Sequence, residues 1–231
     1  MASRRTAVTE LKRQSPKGES SEVKATPRRV QDPEGVRRSI LEIASAEYAE
    51  NGLSGARVDE IAAKTSTSKR MIYYYFGDKE GLYRSVLEQA YARIRQIEAT
   101  LNLSHLEPED AIAALVGFTF DYQNANEDFI RLVMVENVHR GEHLAKSNVI
   151  RDLNVSVIDT LRDIYARGCK AGVFRRGLDP IDIHMTISAL CFFNVANRAT
   201  FSQIFSRDMQ SLDALARRRK VVIETVMRYM K

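Results

Sequence analysis

An all-α architecture is what this sequence predicts, on three observations. Glycine and proline are scarce, 11 and 5 in 231 residues, which is few for a β sandwich with its many turns. Long runs rich in Ala, Leu, Ile, Arg and Glu carry apolar side chains at helical spacing. Those runs are punctuated by helix-starting Asp-Pro and Ser residues and by helix-ending glycines. Hydrophobic residues are 44% of the chain, ample for a buried core.

Taken in order, residues 1–32 hold eight Lys or Arg against four acids, which places +4 of the chain's net +5 in this segment. With almost no large apolar side chains it cannot offset ordering entropy and is expected to be a disordered basic arm. Arg28 and Arg29 are its best placed cations for DNA phosphates or a minor groove, the alternative being a solubilising tail. Asp32 and Pro33 then start a helix, with Val36, Ile40, Ile43, Ala44 and Tyr48 on one face and Gly52 as its left-handed end. Arg37 and Arg38 should point outward from it.

Residues 57–79, RVDEIAAKTSTSKRMIYYYFGDK, read as two short helices joined by a turn of hydroxyl residues, a helix-turn-helix. Asp59 and Glu60 favour the positive end of the first helix, and Ile61 with Ala62 gives it a small buried face that permits close packing. Thr65, Ser66, Thr67 and Ser68 break the pattern because their hydroxyls compete for backbone bonds, and Ser68 is a good N-cap for a second helix from Lys69. In that helix Ile72 and Phe76 share the inward face, while Arg70, Met71, Tyr73 and Tyr74 project elsewhere. Three successive tyrosines cannot all point inward on one helix, so a basic and aromatic surface is left for a major groove.

Gly77 ends this helix and Asp78 caps the next, which turns Lys79 and its free first-turn amides toward DNA. Leu82, Val86, Leu87, Ala90, Ile94, Ile97 and Leu101 continue that helix for about six turns, a rod long enough to reach a second unit. After the break at residues 104–110, helices are expected over 108–124, 127–139 and 148–171, the last stopped by Gly172. Asp179 and Pro180 cap a helix that is apolar nearly all round from Ile181 to Ala199, and a final helix covers 208–230. Cys169 and Cys191, far apart and inside helical patterns, read as buried thiols. The RRRK run at 217–220 reads as a solvated rim.

The order IAAKTSTSKRMIYYYFGDKEGLY, preceded by AEYAENGLSGARVDE, resembles the TetR family of bacterial one-component transcriptional repressors. It departs from that pattern at Ser66, where glycine is usual, and at Arg57, where threonine or serine is usual. The resemblance implies an N-terminal three-helix DNA-binding domain over 33–78 and a larger helical ligand-binding and dimerisation domain over 79–231. It puts Lys69, Arg70, Met71, Tyr73, Tyr74 and Tyr75 on the recognition helix and Lys79 on a phosphate; Arg57 and Ser68 complete the expected DNA-binding set. It also implies a homodimer. The last two helices are the candidate pairing surface, since a four-helix bundle across a two-fold axis suits a two-fold DNA site.

Tyr122, Arg131, Asn137, His139 and Asn194 are polar groups among apolar ones in the second domain, the pattern of a small-molecule pocket, though each suits an ordinary helix surface equally. His139 and His143 with Glu142 suggest a metal site, but Gly141 spoils the helical spacing and no metal is expected. No phosphate loop, nucleophile elbow or Cys-x-x-Cys occurs, so neither enzyme activity nor a cofactor is expected. No apolar stretch of about 18 residues and no signal core occurs, so no membrane partner is expected and the cytoplasm is the expected compartment. The expected partners are double-stranded DNA, a second copy and a small-molecule effector that releases the repressor from an inverted repeat. Two rivals stand: a constitutive DNA-binding protein without effector, and an all-helical carrier or enzyme.

Overall fold

The computed structural model describes residues 32–231, so the expected basic arm with Arg28 and Arg29 lies outside the described residues. These are helical throughout, with no strand. Helix α1 spans Pro33–Gly55, α2 Val58–Lys64, α3 Lys69–Phe76 and α4 Lys79–Ala99. A single 3-10 turn, Leu103–His105, leads to α5, Pro108–Ala125, and then α6, Glu127–Val138. The short α7, Glu142–Ala145, precedes α8, Asn148–Ala171; α9, Pro180–Ala196, α10, Arg198–Ile204, and α11, Leu212–Met230, complete the chain.

Asp32 sits at the N-cap position of α1 ahead of Pro33, but its side chain makes no cap bond; its carbonyl accepts from the Val36 amide at 3.0 Å instead. Gly52 leaves the helical path at φ +66, as a terminal glycine should, yet one more turn runs on to Gly55. Arg37 is not outward as expected: it is half-buried, its guanidinium 5.4 Å from the centre of the Phe76 ring.

Two other boundaries differ from the sequence reading. The apolar run expected to continue to Ala199 stops at Ala196, because Asn197 adopts φ −108 and ψ 7 and redirects the chain into α10. The last helix begins at Leu212 rather than 208, since Asp208 spends its carboxylate on the Gln210 amide, 2.8 Å away, and Ser211 takes over as cap.

The interior has two cores. The first gathers Ile40, Ala44 and Tyr48 of α1, Ile61 and Ala62 of α2, Ile72 and Phe76 of α3, and Leu82, Tyr83, Val86 and Leu87 of α4, joined by Leu132 and Ile150. Each fully buried side chain of this size contributes about 1.5–3 kcal/mol. The second surrounds α5, whose Ile112, Leu115, Val116 and Phe120 meet Leu161 and Ile164 of α8, Ile183, Ile187 and Cys191 of α9, and Val222 and Val226 of α11. Helix α4 runs between the two, packing on α1 and α3 at one end and on α5 and α8 further along. Of the cysteines, Cys191 is buried and its thiol is pushed up to about 12 by that burial, while Cys169 is only half-buried at the end of α8. No helix among the described residues is long and apolar enough to cross a membrane.

Candidate nucleic-acid interface and effector cavity

The recognition unit is fastened by Glu47, a buried carboxylate on α1. It accepts from the Arg57 amide at 3.2 Å, from Asn51 Nδ2 at 3.1 Å and from Lys64 Nζ at 3.2 Å, so it holds both ends of α2 against α1. Burial works to raise its pKa, but the Arg57 amide, Lys64 and Asn51 outweigh that and bring it below the ordinary carboxylate value.

Between α2 and α3 the chain turns through Ser66 at φ +52, a left-handed conformation that glycine adopts without strain. Ser68 then caps α3, its Oγ accepting from the Met71 amide at 3.2 Å. Ile72 and Phe76 anchor α3 in the first core, as their spacing requires. The three tyrosines divide: Tyr74 is 79% exposed, while Tyr73 and Tyr75 are half-buried against that core. Lys69, Arg70 and Met71 are exposed on the first turn beside them. Lys69 Nζ rests on Asp59 Oδ2 at 3.1 Å, and Arg57 faces Glu60 at 3.4 Å, both as exposed pairs.

At the far end of α3, Asp78 caps α4 by accepting from the Gly81 amide at 2.6 Å. A Cβ on Gly81 would stand 2.0 Å from the Phe76 carbonyl oxygen, so only glycine allows α4 to start this close to α3. Lys79 is held from both sides: its Nζ donates to the Ser54 carbonyl at 3.1 Å, and its own carbonyl accepts from the Tyr48 hydroxyl at 2.9 Å. Arg57, Ser68, Lys69, Arg70, Met71 and Tyr74 are thus left exposed around α3, over the packed first core.

The second candidate site is a half-open cavity of about 430 Å³ lined by residues of α4, α5, α6, α8 and α9. Its polar floor is an ion pair on α4, Arg95 Nη1 to Glu98 Oε2 at 2.7 Å, with both side chains nearly buried. Burial raises the Glu98 carboxyl despite the Arg95 charge beside it. His184 of α9 also lines the cavity, and burial, aided by the Arg95 charge, holds its imidazole below the ordinary value. Gln123 of α5 is 6% exposed and its Oε1 has no hydrogen-bond partner, nor has Arg95 Nε. Tyr91, Phe129 and Phe192 supply aromatic wall.

A wider, more polar cleft of about 850 Å³ lies between α1, α4 and the α5–α6 turn. Phe129 belongs to both hollows, its ring edge-on to Tyr91 at 5.4 Å and to Tyr122 at 6.1 Å.

The five pocket residues expected from the sequence fall in different places. Asn137 lines the inner cavity and Tyr122 the outer cleft. Arg131 pairs with Glu50 at 2.7 Å and Glu127 at 3.4 Å, fastening α6 to α1. His139 ends α6 with its ring against His143, and Asn194 donates to Asn124 Oδ1 at 3.0 Å beside a small hollow between α9 and α11. His143 turns away from Glu142: its backbone amide and Nδ1 face the buried Glu136 at 2.7 and 3.1 Å, while Glu142 pairs with Lys146 at 3.0 Å. Sequence reasoning missed Arg95, Glu98, Gln123 and His184; the one available signal was a charged pair three apart inside the apolar stripe of α4.

Residues 40–86 match the family model described as bacterial regulatory proteins, tetR family, and residues 108–226 match that described as Tetracyclin repressor-like, C-terminal domain. The HTH-type transcriptional repressor NicS of Pseudomonas putida is 36% identical over 188 residues, covering 81% of this chain and 89% of its own. The crystal structure of SCO4942 from Streptomyces coelicolor superposes with a TM-score of 0.63 at 26% identity, over 84% of this chain and 98% of that one. AibR, solved in complex with isovaleryl coenzyme A and operator DNA, gives 0.62 at 14% identity over 82% and 97%, a likeness of fold alone.

Proposed function

This chain belongs to the TetR family of bacterial regulatory proteins, and from that premise we propose a homodimeric repressor that a small molecule releases from an inverted-repeat operator. It is a DNA-binding transcriptional regulator and not an enzyme. The observation that carries the operator reading is the split of α3: Ile72 and Phe76 are sunk in the core, while Lys69, Arg70, Met71 and Tyr74 are left to solvent. Arg70 and Lys69 suit guanine O6 and N7 or phosphate, and the Tyr74 ring suits a thymine methyl. Arg57, Ser68, Tyr73, Tyr75 and Lys79 line the rest of the surface, with Lys79 at the phosphate edge.

Residues 33–78 act as the DNA-binding domain and 79–231 as the effector and dimerisation domain. Two copies pair through α9 and α11. Exposed Phe193, Leu212 and Val221 on these helices, with Ile204 and Phe205 between them, are the large apolar side chains such a bundle would cover. That pairing sets two recognition helices about 34 Å apart on successive major grooves. The cytoplasm is the compartment where such a protein meets its operator. AibR shares only the fold, so the effector's chemistry is to be read from this chain's own cavity.

A mobility-shift assay on DNA upstream of the gene and its neighbours tests the reading, with light scattering on the same sample. A retarded band that salt weakens, and a dimer mass at micromolar concentration, are expected. A monomer mass, or equal retention of unrelated DNA, sinks it.

A further inference from the structure

We propose that the inner cavity takes a small uncharged molecule bearing an amide-like edge, one N–H donor beside one carbonyl acceptor. This rests on the effector reading above and narrows it. Three features of the cavity point there.

The first is charge. Arg95 is the only arginine or lysine among the lining residues and Glu98 the only carboxylate, and they neutralise each other at 2.7 Å. His184, the remaining titratable base on the wall, has its neutral form favoured by burial and by the Arg95 charge. A carboxylate ligand would therefore enter beside Glu98 with no unpaired cation left to meet it. The phosphates of a coenzyme A ester would fare worse.

The second is the hydrogen-bonding capacity left over. Thr119 Oγ1 donates to the Leu115 carbonyl and Asn154 Nδ2 to the Ile150 carbonyl, so both donors are spent on their own helices. Arg95 has committed Nη1 to Glu98. Among the atoms fully buried in the wall, Arg95 Nε, a donor, and Gln123 Oε1, an acceptor, stay without a partner, beside the more accessible polar groups of Asn137, His184 and Ser188. Orphaned buried polar atoms are costly, and a group offering one acceptor and one donor relieves both after a small rotation of Gln123. A lone carbonyl satisfies only one; an anion satisfies one and repels Glu98.

The third is shape. The volume of about 430 Å³ sits at the small end of ligand pockets, and Tyr91, Phe129 and Phe192 offer ring faces and edges to a flat body.

Benzamide, benzoate and acetyl coenzyme A are the probes, titrated calorimetrically at up to millimolar concentration into the full chain and into Gln123→Leu. The variant removes an unpartnered polar group and fits a buried site, so its melting temperature should equal or exceed that of the parent. Benzamide is expected to bind at least tenfold more tightly than benzoate or acetyl coenzyme A, and to lose about tenfold in Gln123→Leu. Benzoate or acetyl coenzyme A binding as well as benzamide, no benzamide binding, or benzamide binding indifferent to the substitution would each overturn the assignment. The same probes in the mobility-shift assay keep the two readings apart. Operator still held with benzamide bound defeats the release mechanism and leaves the amide-edge assignment standing; absent benzamide binding defeats only the assignment.

Discussion

The helices α1–α3 and those from α4 onward differ in how completely their buried polar side chains are used. In α1–α3 the groups that bridge the helices have partners: Glu47 accepts three hydrogen bonds, Ser68 caps α3, and Tyr48 closes onto Lys79, although the Asp32 side chain leaves α1 without a cap bond. The buried side-chain atoms lacking partners among the described residues, Tyr83 Oη, Arg95 Nε, Gln123 Oε1 and Arg198 Nε, all lie on α4 or beyond. A DNA-reading unit must present one geometry, so satisfied bonds suit it. An effector unit must prefer a second state when ligand arrives, and unused bonding capacity supplies that differential affinity.

The largest expected effect tests the rigid side of this contrast. Ile72→Ala empties a fully buried position beneath α3 and should cost about 2–5 kcal/mol of stability, abolishing operator retention at temperatures where the parent still binds. Calorimetric melting with a mobility shift reads both, and an unchanged melting temperature would mean that α3 is not anchored there. Next, Arg70→Ala or Tyr74→Ala should weaken operator binding by about 1–3 kcal/mol with no loss of helicity, because neither side chain is spent on the fold. Retained affinity in both would take these two residues out of base reading.

How far the sequence reached follows the same division. The helix-turn-helix was legible because its signals are local: the Ile61-Ala62 pair, four hydroxyl residues, the Ser68 cap and the Ile72–Phe76 spacing lie within a few residues of one another. Ser66 was legible only as a departure from a family habit, and its φ of +52 gives the physical reason for that habit. The α9–α10 break was missed because an apolar run hides a single Asn turning out of helix. The cavity was largely missed because Arg95, Gln123 and His184 sit on three helices whose facing sides no spacing rule reveals; Asn137 reached it while Arg131 and Asn194 found partners elsewhere.

Two smaller effects sharpen the contrast. Ser66→Gly should stabilise the chain by about 1 kcal/mol, since a left-handed backbone costs serine roughly that much, with operator affinity kept. A lower melting temperature would show that the hydroxyl matters more than the backbone. In the effector half, His184 is held below its ordinary value of 6.5 while the unfolded chain titrates normally. Its contribution is thus full above about pH 6.5 and is lost as pH falls from there toward the folded value. Glu98, raised by burial, acts in the opposite sense nearer the carboxylate range. Melting temperature followed between roughly pH 7.5 and 6 should therefore decline less in His184→Gln than in the parent. Equal slopes would exclude this histidine as the cause.

The Lys69–Asp59 contact carries a consequence for how this protein finds its target. Because the ammonium already has an anion at 3.1 Å, moving it onto a phosphate swaps one partner for another and sheds fewer condensed counterions than a free lysine would. Random stretches of chromosome then hold the protein less firmly, and it leaves them sooner, so more of each search is spent where base edges, rather than bare charge, decide whether it stays.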